Sequence, residues 1–147
     1  MSALNVLLAE DNAADAMIIE EMLKETGIDS SLTWLKDGEA VLDHFSRGNT
    51  ADVIILDLNM PKMDGHTLIG RLRERDESRR IAIVVLTGSS SPADKERVRR
   101  SGIDSYLIKP MGIEEMDDVV RTLRTTLLGV KACRDGMRKD GTSEERT

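Results

Sequence analysis

Residues that could bind a metal ion and react with a phosphoryl group follow directly after short apolar runs of this sequence. They are, in chain order, Glu10, Asp11, Asp57, Thr87 and Lys109. Each lies at the carboxyl end of a run with the composition of a β-strand. Parallel strands of one sheet end at a shared edge, so the side chains that follow them meet there. We therefore expect these carboxylates, the hydroxyl and the ammonium group to converge in one cleft.

The carboxylates of this cluster repel one another unless a cation compensates for their charge. Mg²⁺ prefers oxygen ligands and is commonly held by one or two carboxylates together with a phosphate group. Asp57 can then act as a nucleophile, because a carboxylate can form an aspartyl phosphate. Lys109, as a point charge, and Thr87, as a hydroxyl donor, suit the remaining phosphoryl oxygens. The cluster predicts magnesium-dependent phosphoryl chemistry.

Short strand-like runs alternate along the chain with longer runs of helical periodicity. The predicted strands cover residues 4–9, 31–35, 53–56, 81–86 and 105–108. The predicted helices cover residues 15–26, 39–46, 65–76, 91–100 and 113–128, with Met17, Met22 and Met116 at core positions. Strict alternation predicts an α/β fold with a parallel sheet covered on both faces. Right-handed crossovers favour a flavodoxin-like, doubly wound sheet of five strands in the order 2-1-3-4-5 with five helices.

The composition is that of an acidic globular protein. The 147 residues are enough for one domain, and 21 basic against 27 acidic residues give a net charge of −6, which argues against nonspecific binding to nucleic acid or an anionic membrane. The single cysteine, Cys133, fits a reducing compartment. The apolar runs are too short to span a bilayer, and the first residues do not form a signal peptide. We expect a soluble cytoplasmic protein that binds neither nucleic acid nor membrane.

The amphipathic pattern ends near Gly129. Residues 130–147 mix basic and acidic side chains and hold few apolar ones. Such a segment cannot bury much surface. We predict one domain over residues 1–129 and a polar, disordered C-terminal tail over residues 130–147.

Four motifs identify the chain as similar to a known family. They are Glu10-Asp11-Asn12, the loop from Asp57 to Gly65, the segment Val84 to Gly88 and the segment Tyr106 to Pro110. In this order, on alternating strands and helices, they resemble the receiver domain of two-component response regulators from about Leu4 to Leu128. The loop after Asp57 is also similar to that of phytochrome-associated single-domain regulators.

The resemblance implies a role for each residue of the cluster. Asp57 is the phosphoacceptor and takes its phosphoryl group from a sensor histidine kinase. Glu10, Asp11, Asp57 and the backbone carbonyl of Asn59 bind Mg²⁺, and Thr87 and Lys109 contact the phosphoryl group. The protein then catalyses only its own phosphorylation and dephosphorylation and is not a turnover enzyme.

The resemblance also implies a switch and its partners. Thr87 and Tyr106 are the switch residues, the peptide between Lys109 and Pro110 is cis, and Asn59 and Ser89 tune hydrolysis of the aspartyl phosphate. The switched surface is formed by helix four, strand five and helix five. It binds a downstream protein target or a phosphotransfer protein, and a homodimer can form through it. With no output domain expected after Leu128, the chain is interpreted as a stand-alone regulator in a phosphorelay.

Two other functions remain open at this point. A pseudo-receiver binds its partner without phosphorylation, although the expected site residues are all present here. An aspartyl-phosphate phosphatase of the haloacid-dehalogenase type needs a second acid two residues after its nucleophile, where this chain has Asn59. The basic residues of helix four, between Lys95 and Arg100, fit either a solvated face or a recognition surface.

Overall fold

A computed structural model describes residues 3–75 and 81–143, and strands and helices alternate along these residues. The strands are β1 (Leu4–Ala9), β2 (Ser30–Leu35), β3 (Val53–Leu56), β4 (Ala82–Thr87) and β5 (Ser105–Ile108). The helices are α1 (Ala13–Glu25), α2 (Gly38–Ser46), α3 (Gly65–Glu74), α4 (Pro92–Arg100) and α5 (Ile113–Ser143). All paired strands are parallel, and their order is β2-β1-β3-β4-β5. The predicted fold is confirmed.

Two apolar cores lie on opposite faces of the sheet. Along β3, Val53 and Ile55 pack into the core beneath α1 and α5, whereas Ile54 and Leu56 pack into the core beneath α2, α3 and α4. Every residue of β3 and β4 is buried, because helices cover both faces of these central strands. Unbroken apolar runs are typical of such strands. The two cores hold the carboxyl ends of β1, β3 and β4 in fixed register.

Side-chain caps define where four of the helices begin. In each, an oxygen of the residue before the helix accepts a hydrogen bond from the backbone N–H three residues later; the caps are Asn12, Asp37, Asp64 and Ser91. Such caps satisfy backbone donors that have no partner within the helix. Asn12 and Asp64 lie in the loops that connect β1 to α1 and β3 to α3, next to the acids that follow these strands.

The prediction of Met17 as a core residue is wrong. Helix α1 buries a stripe formed by Ala16, Ile19, Met22 and Leu23, and Met17 is 68% exposed. Met17 lies one position around the helix from Ala16, so it points away from the sheet while Met22 points toward it. Met116 is partly buried and packs against the core, as predicted.

Helix α5 continues where the sequence predicted a disordered tail. The helix extends through Ser143, beyond Gly129, and residues 144–147 of the predicted tail lie outside the described residues. Val130 packs against the core. Arg134 donates hydrogen bonds to the Ala3 carbonyl over 3.1 Å and to Asp52 Oδ2 over 3.0 Å. These contacts hold the helix beyond Gly129 against the amino-terminal ends of β1 and β3, although a glycine inside a helix costs about 1 kcal/mol relative to alanine.

No helix of the described residues combines the length and the apolar composition needed to cross a bilayer.

We expect Arg134→Ala to lower the free energy of unfolding by about 1–2 kcal/mol, because it removes a largely buried guanidinium from its carbonyl and carboxylate partners. Urea titration followed by far-UV circular dichroism measures the change. The matched control is Arg121→Ala on the same helix, since Arg121 is exposed and pairs only with exposed Asp118 among the contacts seen. That pair contributes less than about 0.5 kcal/mol. Equal effects of the two substitutions would show that Arg134 does not hold the helix extension.

Candidate functional site

Three carboxylates meet at the carboxyl edge of the sheet. Ala9 of β1 pairs with Leu56 of β3, so the residues that follow them, Glu10 and Asp57, are neighbours. The Asp57 N–H donates to the Ala9 carbonyl over 3.2 Å and extends this pairing. Carboxylate oxygens of Glu10, Asp11 and Asp57 lie within 4.8 Å of one another. The structure brings together the three acids that the sequence predicted.

Asp57 is nearly inaccessible, with 5% of its surface exposed. Its Oδ1 accepts a hydrogen bond from the Asn59 N–H over 3.2 Å, and its Oδ2 accepts one from Lys109 Nζ over 2.8 Å. Both oxygens are therefore oriented before any ligand arrives. A buried carboxylate held in this way has a fixed orientation, which favours reaction with a ligand bound next to it.

Lys109 reaches into the cluster from the end of β5. Its N–H donates to the Thr87 carbonyl over 2.8 Å, which places it beside the end of β4. Its Nζ lies 2.8 Å from Asp57 Oδ2, 2.8 Å from Asp15 Oδ2 and 2.9 Å from Glu10 Oε1. Burial lowers the pKa of Lys109, but its close contacts with the three carboxylates more than offset this, so its pKa is raised. Lys109 is a permanent ammonium ion at neutral pH.

Glu10 is the most deeply buried of the acids, with 1% of its surface exposed. Burial raises its pKa, and the contacts with Lys109 and the Asn12 N–H oppose that effect. Its Oε2 accepts a hydrogen bond from the Asn12 N–H over 3.1 Å. Its Oε1 is buried and has only the charge contact with Lys109, outside hydrogen-bond geometry. This oxygen can accept a further ligand.

The donor set fits Mg²⁺. Glu10, Asp11 and Asp57 offer only oxygen atoms, which a hard divalent cation prefers over nitrogen or sulfur. The buried Glu10 Oε1, which lacks a hydrogen bond, is a ligand of the expected kind. Asp11 is exposed and leaves one side of the cluster open to water, and Mg²⁺ in proteins usually keeps several water ligands. Ligation by the Asn59 carbonyl stays a prediction.

The predicted switch residues are linked through the backbone of Ser89. Buried Thr87 accepts a hydrogen bond at Oγ1 from the Ser89 N–H over 3.3 Å. The Tyr106 hydroxyl donates to the Ser89 carbonyl over 2.9 Å, and burial raises the pKa of Tyr106. The Ser89 hydroxyl itself donates to Asp94 Oδ2 of α4 over 2.7 Å. Hydrogen bonds of Ser89 therefore connect Thr87 to both Tyr106 and α4. A role of Asn59 and Ser89 in hydrolysis stays a prediction.

The predicted cis peptide between Lys109 and Pro110 is wrong for this structure. That peptide is trans, and no cis peptide occurs among the described residues. The two isomers of a peptide bond before proline differ by only about 0.5–1 kcal/mol, so local sequence does not decide between them. Lys109 reaches Asp57 with its peptide to Pro110 in the trans form.

Sequence reasoning missed three residues around the site. Asp15 is the second carboxylate at 2.8 Å from Lys109 Nζ. The Trp34 indole donates to the Glu10 carbonyl over 2.7 Å, so the only tryptophan of the chain contacts the site. The one sequence signal for Asp15 is its position on the first turn of α1, which fits an ordinary acid at a helix start equally well.

The third missed residue, His66, contacts α4. Its Nε2 lies 3.1 Å from Asp94 Oδ1, and hydrogen bonds from Ser89 and His66 lower the pKa of Asp94.

Known proteins resemble this chain over most of its length. Residues 6–121 match the family model of the response regulator receiver domain. A probable methanogenesis regulatory protein, FilR2 of Methanothrix harundinacea, is 36% identical over 129 residues, covering 84% of this chain and 83% of that protein. Response regulator Rcp1 of Synechocystis is 29% identical, covering 82% of this chain and 86% of Rcp1. The Mn²⁺-bound crystal structure of Rcp1 superposes with a TM-score of 0.74, over 83% of this chain and 92% of that one.

Proposed function

Because the chain belongs to the response regulator receiver domain family, we propose that Asp57 accepts a phosphoryl group from the phosphohistidine of a sensor histidine kinase. One observation supports this above the others. The Asp57 carboxylate is buried, oriented by Asn59 and Lys109, and adjacent to two further acids that suit Mg²⁺. That arrangement combines a nucleophile, a fixed cation and a metal site within one cleft.

The proposed step is an in-line phosphoryl transfer. A carboxylate oxygen of Asp57 forms a new P–O bond while the P–N bond of the phosphohistidine breaks, and the imidazole nitrogen of the donor keeps that electron pair and takes up a proton. Lys109 and Thr87 stabilise the negative charge on the phosphoryl oxygens. Mg²⁺, held by Glu10, Asp11 and Asp57, supplies further charge neutralisation when it is bound. Hydrolysis of the acyl phosphate by water returns the carboxylate.

The signal is a changed protein surface. If the Thr87 hydroxyl turned to donate to a phosphoryl oxygen, its hydrogen bond from the Ser89 N–H would be disturbed. The carbonyl of the same residue accepts a hydrogen bond from the Tyr106 hydroxyl, and the Ser89 hydroxyl donates to Asp94 of α4. We propose that this connection changes the surface of α4, β5 and α5, which then binds a downstream protein, a phosphotransfer protein or a second copy of the chain.

Turnover of external substrates is no part of this proposal. The chain would catalyse only its own phosphorylation and the loss of that group. The site is a narrow cluster in which Lys109 already contacts three carboxylates, and a phosphatase would also need a general acid where Asn59 stands. We place this exchange in the cytoplasm, which suits the exposed free thiol of Cys133.

Intact-mass measurement after incubation with acetyl phosphate tests the proposal directly. We expect a single phosphoryl adduct in the presence of Mg²⁺ and none after chelation with EDTA, because the acids must be neutralised before an anionic donor can approach. Addition of Mg²⁺ back to the chelated sample is the control and should restore the adduct. No adduct in Mg²⁺, together with no response of Trp34 fluorescence to Mg²⁺ or beryllofluoride, would favour a pseudo-receiver that binds its partner unmodified.

A further inference from the structure

Lys109 Nζ is surrounded by three carboxylates. It donates hydrogen bonds to Asp57 Oδ2 and Asp15 Oδ2 over 2.8 Å each and lies 2.9 Å from Glu10 Oε1 as a charge contact. A cation that binds the oxygens of Glu10 or Asp57 must therefore weaken a contact of Lys109. The position of the ammonium group after a metal ion binds depends on which of its contacts is retained.

The three partners of Lys109 are not equivalent. Glu10 and Asp57 belong to the group of acids that could hold a metal ion, whereas Asp15 does not. A cation bound by Glu10 and Asp57 competes with Lys109 for their oxygens. Asp15 is also the most accessible of the three, with 36% of its side chain exposed against 1% and 6% for the others. It lies on the α1 side of the cleft, where Lys109 can remain when its other contacts are lost.

We propose that Asp15 is a positioning residue for Lys109: it retains the ammonium group on the α1 side of the cleft while Mg²⁺ takes over Glu10 and Asp57. This inference rests on the proposed function and names a residue outside the predicted set. Without Asp15, an ammonium group displaced by Mg²⁺ would lose its last close carboxylate in a cleft that is mostly shielded from water. Displacement would then cost more free energy, and Mg²⁺ would bind less tightly.

A double-mutant cycle on Mg²⁺ binding tests this role. The four proteins are the native chain, Asp15→Asn, Lys109→Met and the double variant, and the dissociation constant is measured by Trp34 fluorescence and by isothermal titration calorimetry. With Lys109 present, Asp15→Asn should weaken Mg²⁺ binding about three- to tenfold, as expected for a charge-assisted contact that is partly exposed. In the Lys109→Met background its effect should fall to less than about twofold, because no ammonium group has to be held.

A second readout separates positioning from chemistry. Asp15→Asn should raise the Mg²⁺ concentration that gives half-maximal labelling by acetyl phosphate, and it should leave the labelling rate at saturating Mg²⁺ within about twofold of the native rate. Asp15→Glu keeps the charge and should restore most of the Mg²⁺ affinity. Glu20→Gln removes one exposed acid from the same helix and controls for the general effect of charge.

The outcomes are distinguishable from failure of the proposed function. If the native chain binds no Mg²⁺ by calorimetry, the metal site itself fails and the role of Asp15 fails with it. If the native chain binds Mg²⁺ and Asp15→Asn weakens binding equally with and without Lys109, only the role of Asp15 is overturned. An effect of Glu20→Gln as large as that of Asp15→Asn would overturn it as well, since bulk charge would then explain both.

Discussion

Asp57→Asn is expected to abolish phosphoryl acceptance while leaving the protein folded. An amide cannot form the acyl phosphate that a carboxylate forms, so labelling by acetyl phosphate in Mg²⁺ should fall by more than about a thousandfold. Intact mass gives the adduct directly, and a time course gives the rate. Among the predictions for this protein, this substitution has the largest expected effect.

The fold should tolerate the change because asparagine has nearly the size of aspartate. Its amide oxygen can still accept the hydrogen bond from the Asn59 N–H or from Lys109. Lys109 loses one charged partner but keeps Glu10 and Asp15, and repulsion within the cluster of acids is relieved. These effects oppose one another, so we expect the free energy of unfolding to change by less than about 1 kcal/mol.

Asp64→Asn is the matched control for Asp57→Asn. Asp64 is an acid of the same loop and caps α3 by accepting the Thr67 N–H at 2.8 Å. Asparagine caps helices about as well as aspartate, so this variant should fold and accept the phosphoryl group like the native chain. Labelling that persists in Asp57→Asn would show that another carboxylate of the cluster is the acceptor and would contradict the assignment of Asp57.

The sheet and the core of the site followed from the sequence because both depend on local patterns. The sequence pattern predicts Val53–Leu56 and Ser105–Ile108 residue for residue, since polar or turn-forming residues end each run. Once the strands are parallel, the residues after them share one edge. Glu10, Asp57 and Lys109 therefore had to meet, whatever the helices do.

The contacts that sequence reasoning missed are made by long side chains over large sequence separations. Lys109 reaches Asp15 across 94 residues, and Arg134 reaches Ala3 across 131. No periodicity encodes such contacts, because they depend on the path of a flexible side chain in the finished fold. For the same reason the polar segment after Gly129 is interpreted as a tail from sequence alone. In the structure, Arg134 of this segment contacts Ala3 and Asp52, which precede β1 and β3.

Gly65→Ala is expected to damage both the fold and the site. A Cβ at this position would lie 2.6 Å from the Leu58 Cα and 2.7 Å from the Asp57 carbonyl oxygen. Both are backbone atoms, so neither can swing aside as the end of a side chain can. Overpacking of this kind costs about 1–3 kcal/mol, and we expect the free energy of unfolding in urea to fall by an amount near the upper end of that range.

The same substitution should slow phosphoryl acceptance through the backbone of the acceptor. To relieve the contact, either α3 must move away or the segment from Asp57 to Leu58 must shift. The Gly65 N–H donates to the Leu58 carbonyl over 2.9 Å, so a movement of α3 also displaces this segment. A displacement of about 1 Å at a reacting group can reduce a rate by about a hundredfold. We expect a loss of labelling rate of about ten- to a hundredfold, measured at saturating Mg²⁺ on samples shown to be folded.

Gly70→Ala separates the close approach at Gly65 from the general effect of replacing a helical glycine. Gly70 lies in the same helix, and a Cβ there would meet no atom within 4 Å. Alanine should stabilise that position by about 0.5–1 kcal/mol and leave labelling unchanged. The two variants should therefore move stability in opposite directions. Stabilisation by both would mean that the start of α3 can shift freely relative to Asp57, and the orientation of the acceptor would then have to come from Asn59 and Lys109 alone.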